Sequence, residues 1–337
     1  MKSPITGKEM TRHHEPAKLK FRKEEFEVQF HFNLCEDSGQ RFTDEFLDEV
    51  NFNQIHNQYR EKYGIPFPDE IIEIRNQYDI SASRMSEILG FGANSYRLYE
   101  SGEIPSVSNG RLILAVKDPR DFQKQVEASR HLLSGEEFEK LHSRIKDLIE
   151  SKENAFSRFD LGNISAFSFI FNGLDEFSGY KRIDLDKIAN IISFFSANKL
   201  LTKTLLNKLL FYLDFKFFSL EGYSMTGLTY RAIKFGPVPA EYDRLYVKLS
   251  TQDKIKINEQ FMGGDIYAEI FEGTIPFQPE LFSEKEFDIL KLVIEKFKSA
   301  KTKDIVEMSH EEKGWVENFP IRDKISYLKY AFTMKHI

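Results

Sequence analysis

An imidazole beside carboxylates can move protons, and the run His310-Glu311-Glu312 sets those groups side by side. A thiolate is the ligand that zinc prefers, and the chain has one cysteine, Cys35, to supply it. An asparagine at a helix start can pair through its amide with adenine in a DNA major groove, and Asn94 stands at such a start. None of these groups sits in a catalytic motif. The chain has no G-x-S-x-G elbow, no G-x-x-x-x-G-K-[S/T] phosphate loop and no H-E-x-x-H zinc helix. His310 therefore reads as a solvated helix end near Trp315. The sequence predicts a protein that is not an enzyme and that needs no cofactor and no metal.

The 337 residues are too many for one ordinary core, and 41% hydrophobic residues are enough to build two or three. Net charge is −6, so any contact with DNA must come from a local patch or from pairing of two copies. A single cysteine rules out an internal disulfide framework, which makes the cytoplasm the expected compartment. The first residues, Met1 to Gly7, lack an apolar signal core, and no run of about 18 apolar residues predicts a membrane span. Phenylalanine is abundant, 32 residues against one tryptophan, and part of that surplus is expected on a partner surface.

The elements that would carry these groups are mostly helical. Phe26 to Phe32 alternates with period two and reads as a strand, and Phe42 to Tyr63 reads as a helix capped by Thr43. After Pro66 and Pro68 come four short helices. They run from Glu70 to Tyr78, from Ala82 to Leu89 behind Ser81, from Asn94 to Ser101, and from Pro105 to Val116. Asp118-Pro119 opens another helix, and Ser134 with Glu137 forms a capping box for a charged helix to about Glu150. Farther on, Asp184 to Lys199 is amphipathic. Thr202 to Leu220 is apolar almost all round and should be a buried central helix closed by Gly222. Tyr223 to Phe235 is a strand candidate stopped by the Gly236-Pro237 turn, with a helix from Pro239 to Leu249. Strands around Gly263-Gly264 make a hairpin, and helices over Phe282–Phe297 and Thr302–Ser309 complete the chain. The fold class expected is mainly α (α+β).

The stretch Gly92-Ala93-Asn94-Ser95-Tyr96-Arg97-Leu98-Tyr99-Glu100-Ser101-Gly102, with Ser81 to Leu89 before it, resembles the helix-turn-helix of antitoxins of the motility and quorum-sensing regulator type (MqsA-like). The resemblance implies a recognition helix. Its DNA-contacting residues would be Asn94, Ser95, Tyr96 and Arg97, joined by Ser83 from the preceding helix. Tyr99 and Leu98 would pack inward. The family has an arginine one place later, where this chain has Leu98. The segment Asp69 to Arg111 carries four arginines against seven acids, a net of −3, so the alternative is a bundle that no longer binds DNA.

In the same family the N-terminal segment is a small zinc module with two C-x-x-C pairs. Here Ser3-Pro4-Ile5-Thr6-Gly7 and Cys35-Glu36-Asp37-Ser38-Gly39 stand at the two knuckle positions. Three of four thiolates become hydroxyls, which stay protonated near neutral pH and ligate zinc poorly. His13, His14 and His31 match no closed tetrahedral spacing. The module expected is metal-free and held by Phe21, Phe26, Phe30, Phe32 and Phe42.

In the second half, Lys208-Leu209-Leu210-Phe211-Tyr212-Leu213-Asp214, Lys234-Phe235-Gly236-Pro237-Val238, Glu241-Tyr242 and Ser309-His310-Glu311-Glu312-Lys313-Gly314-Trp315 are similar to the SocA-like antitoxin (Panacea) domain. The resemblance implies direct binding of a toxin, with contacts assigned to Tyr230, Lys234, Phe235, Pro237 and Tyr242. Tyr230 and Phe235 fit a core as well as an interface, and Trp315 reads as a core anchor.

The domain plan that follows has four parts: 1–66, a degenerate zinc-ribbon-like module; 67–117, a helix-turn-helix bundle; 118–155, a helical connector; and 156–337, a helical toxin-neutralising domain with a small antiparallel sheet. The expected function is the antitoxin of a type II toxin–antitoxin pair. It would bind a cognate protein toxin, and as a homodimer would bind operator DNA and repress its own operon. The alternative is a DNA-binding regulator or protease adaptor whose C-terminal domain senses a ligand or recruits a partner.

Overall fold

The structure, a computed structural model, describes residues 1–158, 173–263 and 266–337. Helices dominate, with small antiparallel sheets, so the fold is mainly α (α+β). The chain forms two compact units, Met1–Ile55 with Ala166–Ile337, and His56–Ser165.

The first unit opens with a long hairpin. Strand β1 (Thr11–Phe21) pairs antiparallel with β2 (Glu24–Leu34), in a register that sets Thr11 opposite Leu34 and Phe21 opposite Glu24. Only the β2 strand was legible beforehand. β1 alternates weakly and contains Pro16, which an edge strand tolerates because its outer backbone face needs no partner. The two-residue strand β3 (Arg41–Phe42) adds briefly to the other edge of β2. Helix α1 (Glu45–Tyr63) starts later than Phe42 and is capped by Asp44 rather than Thr43. The Asp44 carboxylate accepts from the Leu47 N–H at 2.9 Å, and a charged acceptor suits the positive helix start. Asn51 and Gln54 of α1 take the place of a missing strand against β2. Each amide both donates to and accepts from one backbone residue, Asn51 with His31 (3.0 and 2.8 Å) and Gln54 with Gln29 (2.9 and 2.8 Å).

The second unit holds α2 (Pro68–Asn76), α3 (Ala82–Ile88), α4 (Ser95–Glu100), α5 (Val107–Ala115), α6 (Pro119–Ala128) and α7 (Gly135–Arg158). Local caps set their starts. Ser81 accepts from Arg84 N (3.2 Å), Ser106 from Asn109 N (3.1 Å) and Asp118 from Arg120 N (2.8 Å). Ser134 and Glu137 exchange backbone hydrogen bonds as a capping box. Ser106, not Pro105, opens α5. Ile71, Ile74, Tyr78, Met85, Ile88, Tyr96, Ile113 and Phe122 form one continuous core.

The rest of the first unit is built around one helix. α8 (Leu185–Asn198) leads through β4 (Leu201–Thr202) to α9 (Lys203–Glu221), which ends at Gly222. From Leu205 to Phe218 only Lys216 of α9 escapes burial, as expected for a central helix. Tyr223–Phe235 is a strand only at β5 (Tyr230–Ile233). The reason is Asp214. Its carboxylate captures the N–H groups of Met225 (3.0 Å) and Thr226 (2.9 Å), so that stretch loops round the helix instead of extending. Gly236-Pro237 does not stop the strand either. β6 (Gly236–Pro239) turns back and pairs with β5, Pro237 opposite Ala232, which delays the next helix to α10 (Tyr242–Thr251). Strands β7 (Ile255–Gly263) and β8 (Ile266–Gly273) form the expected hairpin, in a sheet of order β4-β8-β7. α11 (Glu284–Lys296), α12 (Thr302–His310), α13 (Lys313–Asn318) and α14 (Tyr327–Tyr330) close the unit. No helix among the described residues is long and apolar enough to cross a membrane.

Candidate functional site

The signature residues of the second half converge where α9 meets the β5–β6 hairpin and α12. Lys208 is fully buried, and its Nζ donates to the Pro237 carbonyl at 2.8 Å. Burial pulls this ammonium down to about 7, because a charge in an apolar interior loses its hydration. Gly236 makes the approach possible. Its φ is +92°, and a Cβ there would fall on Ser309 Oγ and lie 2.7 Å from Lys208 Cε. Trp315 Nε1 donates to the Ile233 carbonyl at 2.8 Å and ties α13 to the end of β5.

Asp214, six residues beyond Lys208 on α9, anchors the opposite end of the same hairpin. It accepts from Thr226 Oγ1 (2.5 Å) and from the Tyr230 hydroxyl (2.7 Å), besides the two backbone amides. Burial raises this carboxyl to about 6, while its four donors favour the charged form. The two buried charges position a loop and a hairpin.

The His310-Glu311-Glu312 run makes no acid–base centre, because its side chains diverge. His310 stacks flat on Trp315 (centroids 4.1 Å apart), and burial, then the nearby Lys208 charge, lowers it. Glu311 meets His336 at 3.1 Å. Glu312 is buried and accepts from the N–H groups of Lys335 (3.0 Å) and His336 (3.3 Å). His310 is thus half-buried against an indole, not a solvated helix end.

The five residues assigned to toxin contact separate into core and surface. Tyr230 is fully buried among Phe211, Phe215 and Tyr327, and Pro237 is buried with its carbonyl committed to Lys208. Neither presents a side chain to a partner, so both assignments are corrected. β5 alternates, with Tyr230 and Ala232 inward and Arg231 outward, whereas all four residues of β6 are buried. Lys234 and Phe235 form the turn between the strands and are exposed, Phe235 by 61%, with Lys234 Nζ 5.8 Å from its ring centre. Tyr242 is half-buried, with Lys203 Nζ 5.8 Å from its ring centre. Sequence reasoning missed the aromatic row His310–Trp315–Phe319. Trp315 and Phe319 stack 4.6 Å apart, and both are half-exposed where Trp315 was expected in the core. Exposed Val316 and Ile321 lie beside this row in sequence. The i, i+4 spacing of Trp315 and Phe319 was the available signal.

In the second unit, α3 and α4 pack together through a turn that contains Gly90 and Gly92. Asn94, Arg97 and Ser83 are exposed, and Ser95 is half-buried. Tyr96 is fully buried: its hydroxyl donates to the Ile71 carbonyl (2.9 Å) and its N–H to Ser86 Oγ (3.0 Å). Its assignment to DNA contact is corrected, because it holds α4 against α2 and α3 from behind. Tyr99 is buried as expected, whereas Leu98 is 44% exposed. Arg75 pairs with Glu100 (2.6 Å), and Arg84 with Glu87 (2.6 Å) and Glu137 (2.7 Å). Arg97 and Arg111 form no ion pair among the described residues.

The chain matches no curated protein and no solved structure. Residues 206–316, which run from the central helix α9 through the β5–β6 hairpin to Val316, match the family model described as antitoxin SocA-like, Panacea domain.

Proposed function

We propose that this protein is the antitoxin of a type II toxin–antitoxin pair, which neutralises a cognate protein toxin by binding and covering it. The match of residues 206–316 to an antitoxin family carries this reading. Lys234 and Phe235 at the hairpin turn, the His310–Trp315–Phe319 row and Tyr242 are the contact residues. Exposed aromatics on a rigid support are what tight protein interfaces use as anchors. Here the support is the β5–β6 hairpin, pinned from below by Lys208 and Asp214.

The α2–α5 bundle is the MqsA-like helix-turn-helix of this reading. As part of a homodimer it binds operator DNA and represses the operon. Asn94 and Ser95 at the start of α4 approach the major groove, Arg97 reaches a guanine edge or a phosphate, and Ser83 contacts backbone. Two of four local arginines are neutralised by acids, so Arg97 and Arg111 supply the positive charge.

Growth is the test. The product of the neighbouring gene, expressed alone, arrests cells, and co-expression of this chain restores growth through a complex that co-purifies. Arrest that persists with this chain well expressed removes the proposal.

A further inference from the structure

Two turns near the N-terminus share a backbone design. In the first, Gly7 N–H donates to the Ser3 carbonyl (2.9 Å), and Ser3 Oγ accepts from the N–H groups of Ile5 (3.2 Å) and Thr6 (3.3 Å). In the second, the N–H groups of Gly39 (2.7 Å) and Ser38 (3.2 Å) donate to the Cys35 carbonyl. Gly7 and Gly39 have matching left-handed φ values, +70° and +67°. Lys8 and Asp37 form an ion pair from one turn to the other at 2.8 Å.

The side chains at the first and fourth places of both turns meet. Thr6 Oγ1 lies 3.5 Å from Cys35 Sγ, within hydrogen-bond reach, and the Ser3 and Ser38 hydroxyls add to the polar surroundings that favour the thiolate. Cys35 and Ser3 are 2% and 3% exposed, whereas Thr6 and Ser38 lie at the surface. The three hydroxyls together hold the thiol near 6, well below its ordinary value.

Two turns that each offer side chains at places one and four are the scaffold on which paired C-x-x-C segments surround zinc tetrahedrally. The donor set here does not fit that ion. Three hydroxyls keep their protons near neutral pH, and one thiolate is too few. Among the described residues no group of three or more His, Cys, Asp or Glu side chains is placed to hold a metal. The nearby histidines are engaged elsewhere: His13 with Thr11 (2.8 Å), His14 with Gln29 (3.3 Å), and His31 against Phe332 (4.8 Å).

We propose that Ser3, Thr6, Cys35 and Ser38 form a metal-free substitute for a structural zinc site, in which polar contacts to one sulfur join the two turns. The backbone frame around them stays competent for zinc and binds it once thiolates return. This inference does not depend on what the protein neutralises.

The test uses the full chain. The wild-type protein is analysed for bound zinc and melted with and without a chelator. The triple variant Ser3→Cys/Thr6→Cys/Ser38→Cys is titrated with cobalt(II). Wild type should carry no equimolar zinc and melt identically in both conditions. The triple variant should bind one cobalt per chain, with thiolate charge-transfer and tetrahedral d–d absorption, and zinc should displace it. A triple variant that folds only when metal is added meets the expectation equally. Equimolar zinc in wild type, a chelator-dependent melt, or a triple variant that takes up no metal in any state overturns the proposal.

Discussion

The buried ammonium of Lys208 ends on the carbonyl oxygen of Pro237, 2.8 Å away, and so holds the β5–β6 hairpin to the central helix. Pro237 can accept but has no N–H to donate, so its carbonyl is the one polar handle of that residue. A lysine passing under Gly236 reaches it without exposing the charge.

That contact sets a pH dependence. Lys208 falls from 10.5 in the unfolded chain to about 7 in the folded one, so the unfolded state binds more protons between these values. The stability this residue contributes is complete above 10.5 and is lost as pH falls through about 7. Lys208→Met, which keeps the stem, should flatten the rise of unfolding free energy with pH between 7 and 10. Denaturant melts of both proteins across that range check it, and parallel slopes would refute the assignment.

Asp214 works in the opposite sense. Its carboxyl rises from 3.8 to about 6, so its contribution is present below 3.8 and lost as pH rises through about 6. Its structural role is larger than that slope. Asp214→Ala would strand four buried donors and should cost on the order of 3 kcal/mol or more. Tyr230→Phe removes one of them and should cost about 1.5–3 kcal/mol. Urea unfolding measures both, and a Tyr230→Phe protein as stable as wild type would contradict the geometry.

Phe235 should behave differently from Tyr230 although five residues separate them. Phe235 is 61% exposed, so Phe235→Ala should change stability by no more than about 0.5 kcal/mol. If the turn is the toxin contact, the same variant should weaken the complex by about 2 kcal/mol, roughly thirtyfold in Kd. Calorimetry on the co-purified pair supplies the number, and an unchanged Kd would move the interface elsewhere.

Neighbours on α4 make a second contrast. Tyr96→Ala empties a fully buried site and should cost about 3–5 kcal/mol of stability. Arg97→Ala should leave the melt unchanged. On operator DNA it should weaken binding by about 1–3 kcal/mol and, if the contact is to phosphate, lower the salt slope by about one. Gel shifts at several salt concentrations separate the two roles.

What the amino-acid sequence determined by itself was the local design: where helices begin and that one of them is central. Ser81, Asp118, Ser134, Asp184 and Thr202 cap helices because a short polar side chain finds backbone N–H groups two or three residues away, and nothing distant is needed. The all-round apolar character of Lys203–Glu221 likewise announced a buried helix. The cap at Asp44 was missed by one residue, because Thr43 is an equally plausible acceptor. Tertiary structure alone decided what lies far along the chain. β1 forms only because β2 supplies its partner across the turn, and residues 223–229 leave strand geometry because Asp214, on another element, captures their amides. The same distant packing placed Tyr96, Tyr230 and Pro237 inside while leaving Arg97, Lys234 and Phe235 at the surface. Adjacent residues in one motif thus took opposite roles, since burial depends on which face the rest of the chain covers.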